Sequence, residues 1–181
     1  MTVDTASTVE PREPLASSRS SIWLLAAARI GVALMWIDNA SWKRPPEFGR
    51  GEEPRMLYAW TLTGVEHEVF APYAWLLDNV VLPNFTFFGW AVLIVEASLG
   101  AFLFIGLLTR AWALIGMAQT AVIALSTLNA PHEWYWAYLL MFLVHLMLFA
   151  TAAGRYGGLD GVLRPIWRQA GRLTPLLEKA S

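Results

Sequence analysis

Arg29, Glu96, Gln119 and His145 each stand near the middle of a long apolar stretch. A charge at the centre of a bilayer costs about 2.5–3.5 kcal/mol on insertion scales, so such residues are kept for chemistry or for fixing helix register. An arginine and a carboxylate that face each other neutralise their charges and share bidentate hydrogen bonds. Arg29 is therefore expected to pair with Glu96. At about 1.5 Å of rise per residue, the four lie about 10, 18, 14 and 14 Å from the inner ends of their segments. The long Arg29 side chain can reach outward to close the gap. One heptad outward from Arg29 lies Trp36, and a second brings Lys43; Ser126 follows Gln119 and Tyr138 follows His145 on the same faces. These residues line a polar and aromatic column suited to a small amphipathic ligand with a polar head and a flat ring. Each also has a plainer role. Gln119 and Ser126 can be interhelical hydrogen bonders, and Trp36 and Tyr138 can be packing. His145 serves either as a structural hydrogen-bonding group or as a proton carrier. Lys43 and Arg44, at the outer mouth, can attract an anion or anchor to headgroups.

Several chemistries are excluded. The 181-residue chain has no cysteine, hence no disulfide, thiolate nucleophile or cysteine-ligated iron–sulfur cluster. Only His145 is a membrane-depth histidine, too few for bis-histidine haem. "EHE" (Glu66 to Glu68) and "HE" (His132, Glu133) do not have a metal-ligand spacing. No metal site is expected. A net charge of −1 gives no sign of a nucleic-acid partner.

The elements that must position these residues are read from hydropathy. The chain is 56% hydrophobic and only 15% charged. Four stretches approach the roughly 20 residues a spanning helix needs: 22–40, 85–108, 111–128 and 134–153. Thr109 and Arg110 alone join the second and third, which implies an antiparallel hairpin, and "NAPHE" joins the third and fourth. Gly89, Ala97 and Gly100 lie near the Glu96 face and allow close helix approach. The expected architecture is an all-α, polytopic four-helix membrane bundle at 21–154. A polar tail, 1–20, is expected to be disordered. The outer loop, 41–84, is expected to hold two interfacial helices, "MLYAWTLTGV" and "VFAPYAWLLDNVVL", around irregular "KRPPEFGRGEEPR". A basic amphipathic tail, 155–181, carries Leu159, Val162, Leu163, Ile166, Trp167, Ala170 and Leu173 beside Arg164, Arg168 and Arg172. Pro165 predicts that its regular part starts near Arg164. Arg12, Arg19, Arg110 and the tail arginines fall on one side of a four-span topology, while "NAPHE" has no basic residue; both termini are expected in the cytoplasm and the chain in the cell membrane. Lys43, Arg44, Arg50 and Arg55 in the long loop are diluted by acids.

The segments "RIGVALMWIDNASWK", "LPNFTFFGWAVLIVEASLGAFLFIGLLTRAWALIG" and "GRYGGLDGVL" resemble the DoxX/DoxD family of small four-helix membrane proteins. The likeness runs from Arg29 to about Leu163. Its most specific part is the acidic Glu96 followed by Gly100 and "GLLTR". The resemblance implies a subunit linked to redox chemistry, with DoxD associated with thiosulfate:quinone oxidoreductase and a second subunit. It also implies that Arg29 and Glu96 occupy matching family positions. The expectation is a quinone held as bound co-substrate, Arg29 hydrogen-bonding its carbonyl, and Glu96 with His145 handling the proton. A second redox subunit or a soluble enzyme is the expected partner, beside membrane lipid. The competing expectation is a non-catalytic scaffold that recruits soluble redox or sulfur-metabolism enzymes through the basic tail. A transporter for a small anion or lipid is the third; no inverted repeat or paired broken helix supports it.

Overall fold

A computed structural model of the chain describes residues 19–51, 56–168 and 174–181. The expectations for the polar amino tail up to Ser18, for Arg55, and for Ala170, Arg172 and Leu173 lie outside the described residues. The described residues form helices and no strand: α1 (Arg19–Ser41), α2 (Leu57–Glu66), α3 (Ala71–Leu76), α4 (Phe85–Ile105), α5 (Thr109–Thr127), α6 (Tyr135–Thr151), α7 (Leu159–Trp167) and α8 (Thr174–Ala180). A π-helical turn, Leu77–Val81, continues α3, and a 3-10 turn, Ala153–Arg155, follows α6.

The apolar stretches become helices because little in them competes with the backbone ladder; α4 stops at a glycine, α6 at Ala152 with φ 48°. Gly106 takes the left-handed conformation (φ 68°) that ends α4, and Leu108 (φ 50°) turns the chain into α5. α1 and α4 are long and apolar enough to cross a membrane, with mean hydropathies of 1.7 and 2.0 over their most apolar stretches, yet only 22% and 28% of those stretches are buried. Trp23, Leu24, Met35, Phe87 and Ile94 project outward from them. Apolar surface on this scale marks a membrane or protein contact rather than a water-facing exterior. α6 is apolar but has 17 residues.

The bundle is two helix pairs. α1 packs most extensively on α4 and α5 on α6, whereas the seams between the pairs, α1 to α6 and α4 to α5, are thin. The predicted hairpin of the second and third spans is thus connected through a tight turn, but each helix takes its main neighbour elsewhere. Gly100 is one reason: a Cβ there would overlap Ile37, so its absence lets α1 approach. Ala33, Trp36, Leu99, Leu103, Ala113 and Leu148 form the buried centre.

The outer loop folds as a cap. Phe48, fully buried, is its anchor, lying edge-on to Phe85 at 6.5 Å and to Trp90 at 5.8 Å. Gly89 leaves the room this ring occupies. Both apolar pieces of the loop are helical, as expected. The carboxyl segment differs: α7 begins at Leu159, with Pro165 inside it rather than near its start. The reason is Asp160, fully buried, whose backbone N–H donates to Gly106 O at 2.8 Å. This tie fixes the helix start upstream of the proline.

Candidate functional site

Two buried polar clusters occupy opposite ends of the bundle. The inner one is built on Arg29. Its Nη1 donates to the carbonyls of Leu103 (3.1 Å) and Phe104 (3.3 Å), and its Nη2 to Gly157 O (3.1 Å). The last carbonyls of a helix have no intrahelical partner and carry the negative end of its dipole. Arg29 therefore caps the carboxyl end of α4. Gly106 and Gly158 make the cradle: a Cβ at Gly106 would overlap the guanidinium, and one at Gly158 would lie 2.9 Å from Nη1. Asp160 is the acid whose field Arg29 feels. Its carboxylate also accepts from Leu108 N (2.6 Å) and Thr109 N (2.9 Å), satisfying free donors at the start of α5.

The expected Arg29–Glu96 pair is therefore absent. The cause is depth. Arg29 lies well inward of Glu96, and the open carbonyls at the end of α4 are nearer than any carboxylate. The side chain turns inward, where outward reach was expected.

The outer cluster is built on Glu96. Lys43 folds back from beyond the end of α1 and forms a salt bridge with its Oε2, both side chains almost wholly buried. Lys43 Nζ also donates to Asn39 O at 2.7 Å and sits 4.1 Å above the Trp42 ring. Gln119 donates to Glu96 Oε1 at 3.2 Å. Beside this cluster Trp36 Nε1 donates to His145 Nε2 at 2.8 Å, and His145 Nδ1 lies 2.7 Å from Met141 O. These two bonds require neutral His145 with the proton on Nδ1. Both ring nitrogens are engaged, which matches the structural role more closely than the proton carrier. Gly116 leaves room for the imidazole, since a Cβ there would overlap it.

The outer cluster opens on a cavity of about 930 Å³ between the two helix pairs. Trp36, Lys43, Glu96, Gln119, Ser126, Tyr138 and His145 all line it, as the helical phases predict. Arg29 does not, and Arg44 is exposed and faces elsewhere. Lys43 is paired with Glu96 and Arg44 stands outside the lining, so of the two residues expected at an anion entry neither presents a free charge to the cavity. Residues that sequence reasoning passed over also line the cavity. Tyr73 bonds Ser126 Oγ at 2.9 Å, and burial raises its phenol pKa above the usual value. Asp38 and Glu133 lie at its polar rim, and Tyr138 donates to Glu133 Oε2 at 2.5 Å. The signal for Glu133 was present, five residues before Tyr138 in the "NAPHE" turn. Among the described residues no three acidic or histidine side chains gather as a metal site.

The family model described as "TQO small subunit DoxD" matches residues 68–177. No curated protein and no solved structure matches the chain.

Proposed function

The chain belongs to the DoxD family, and on that premise we propose that it is the membrane subunit of a quinone-linked oxidoreductase, such as a thiosulfate:quinone oxidoreductase, with a quinone ring held in the outer cavity beside Lys43, Glu96 and Gln119. The observation that carries this reading is the cavity itself. Its size falls within the roughly 300–1,000 Å³ of small-molecule sites, and its walls are mainly apolar with a few convergent polar groups. In this reading the apolar helices α1, α4, α5 and α6 cross the cell membrane. The termini lie in the cytoplasm, the side on which Arg110, Arg155, Arg164 and Arg168 collect.

A bound quinone would supply the redox chemistry, taking up two electrons and two protons. This chain's residues would do the rest. Lys43 Nζ and the Gln119 amide would donate to a ring oxygen and orient it. The Glu96 carboxyl would hold and pass a proton at that oxygen. Trp36 and His145, locked to each other, would form a fixed wall. Arg29, first cast as the hydrogen-bond donor, would act at a distance by closing the inner end. The chain has no cysteine and its electrons would come from the second subunit. An anionic donor such as thiosulfate would be handled there too, because Lys43 offers no free charge and the rim is acidic.

The test is extraction of lipid from detergent-purified protein. Wild type should yield stoichiometric quinone, and Glu96→Gln or Lys43→Met, still folded, should not. Folded wild type without quinone sinks the reading. A scaffold role keeps one supporting feature: α7 exposes Val162 and Ile166 beside Arg164 and Arg168. That alternative predicts a soluble enzyme retained by wild type and lost when residues 155–181 are removed.

A further inference from the structure

The charges around the outer cavity do not balance. Lys43 is the sole cation in its lining and is committed to Glu96, so that pair contributes no net charge. Asp38 and Glu133 remain. Both line the cavity at its rim, and among the described residues neither is joined to a lysine or arginine by a salt bridge. Tyr138 bonds Glu133 through its hydroxyl and leaves the charge in place. The same lining carries the rings of Trp36, Trp42, Trp60, Tyr73 and Tyr138. The Trp42 ring already carries one cation, Lys43.

An apolar chamber with aromatic faces and two uncompensated carboxylates attracts one kind of molecule above others. Aromatic faces favour a cation by their quadrupole, and more strongly when the cation is desolvated. Carboxylates at the rim add Coulombic attraction and repel anions of the same shape. A compact ammonium loses too much hydration to enter; a cation whose charge is spread over, or shielded by, an apolar body does not. We propose that the outer cavity is a binding site for lipophilic cations. Such a ligand would place its apolar body against the walls formed by Val92, Val122 and Leu140 and its charge toward Asp38 and Glu133. The inference rests on the cavity's charge balance, not on the quinone reading, and stands or falls separately from it.

Tetraphenylphosphonium and tetraphenylborate, matched in shape and opposite in charge, are the probes. Each is titrated by equilibrium dialysis into the purified full chain in a non-ionic detergent, with empty micelles subtracted. The phosphonium should bind saturably, and the borate at least about tenfold more weakly. Asp38→Asn with Glu133→Gln should erase the preference in protein that still folds, the glutamine keeping an oxygen that can accept from Tyr138. Asp78→Asn, which removes an exposed carboxylate outside the lining, should leave it intact. Equal or tighter binding of the borate overturns the inference, as does a preference that survives in the double variant or vanishes in Asp78→Asn.

Discussion

Arg29 and Lys43 are both buried cations, associated with the same helix, and the chain satisfies them in opposite ways. Arg29 is held by backbone carbonyls from α4 and from the turn after α6, with glycines shaped around it. Lys43 is held mainly by a side chain, Glu96, that lies against a cavity. Backbone acceptors cannot be substituted away or protonated, and the inner cluster encloses no lining residue of the cavity. The outer cluster is made of groups that can exchange partners with a ligand. Two charges inside an apolar bundle thus sit in different settings: one joins segments distant in sequence, the other stands at the wall of a cavity.

The largest test of this division is Arg29→Met. It removes a buried charge from three carbonyls and leaves the field of Asp160 unopposed, a class of loss worth about 3–5 kcal/mol. Thermal unfolding in detergent should show that cost, while the quinone bound per folded molecule stays unchanged. A variant that remains stable yet loses quinone would reverse the roles of the two clusters. Gly116→Ala comes next. Its methyl must displace the His145 ring and break the bond from Trp36, at about 1–3 kcal/mol for overpacking. The Trp36 environment should change, read as a shift in tryptophan emission. Replacing both members of the outer pair, Lys43→Met with Glu96→Met, should change stability by only about 1 kcal/mol in either direction, because an apolar pair removes both desolvation costs together. The same double variant should still abolish quinone binding, and a large loss of stability would show that the outer pair, too, is structural. The smallest effect is expected at α8. Arg168 Nε donates to Glu178 Oε1 at 2.6 Å, and this bond lowers the carboxyl pKa below its usual value. A lowered carboxyl stabilises the folded form above its unfolded pKa, and that contribution is lost as pH falls through the folded one. The protection of amides 174–181, hydrogen exchange being corrected for its intrinsic pH dependence, should fall in that acidic window, and Glu178→Gln should remove this change in protection.

Much of this arrangement can be read before any coordinates. The helices begin and end within a few residues of the hydropathy boundaries, because apolar runs bounded by glycine, proline and charge leave few alternatives. The heptad rows Gln119–Ser126 and His145–Tyr138 line one cavity because helical phase follows from backbone geometry alone. Charge pairing was not legible in the same way. Arg29 and Glu96 are the two charges set deepest in the apolar runs, and pairing them is the natural inference from sequence. The choice depended instead on where unsatisfied carbonyls lie, which is a property of the helix end. Helical phase put Lys43 in the column, but its pairing with Glu96 was hidden for a related reason: it follows the end of α1, and nothing in its neighbours says that its side chain folds back. "GRYGGLD" stood out as a motif, but its task, receiving Arg29 and supplying Asp160 to the start of α5, needs the turn that brings α6 and α4 together.

The stitched inner end makes the chamber a cul-de-sac. None of the groups that hold Arg29 lines the chamber, so a ligand is expected to come and go by the outer side or through the thin seams between the helix pairs. On the membrane-subunit reading the bundle would also be a plug: vesicles carrying it should hold a proton gradient as well as bare ones, and Arg29→Met should make them leak.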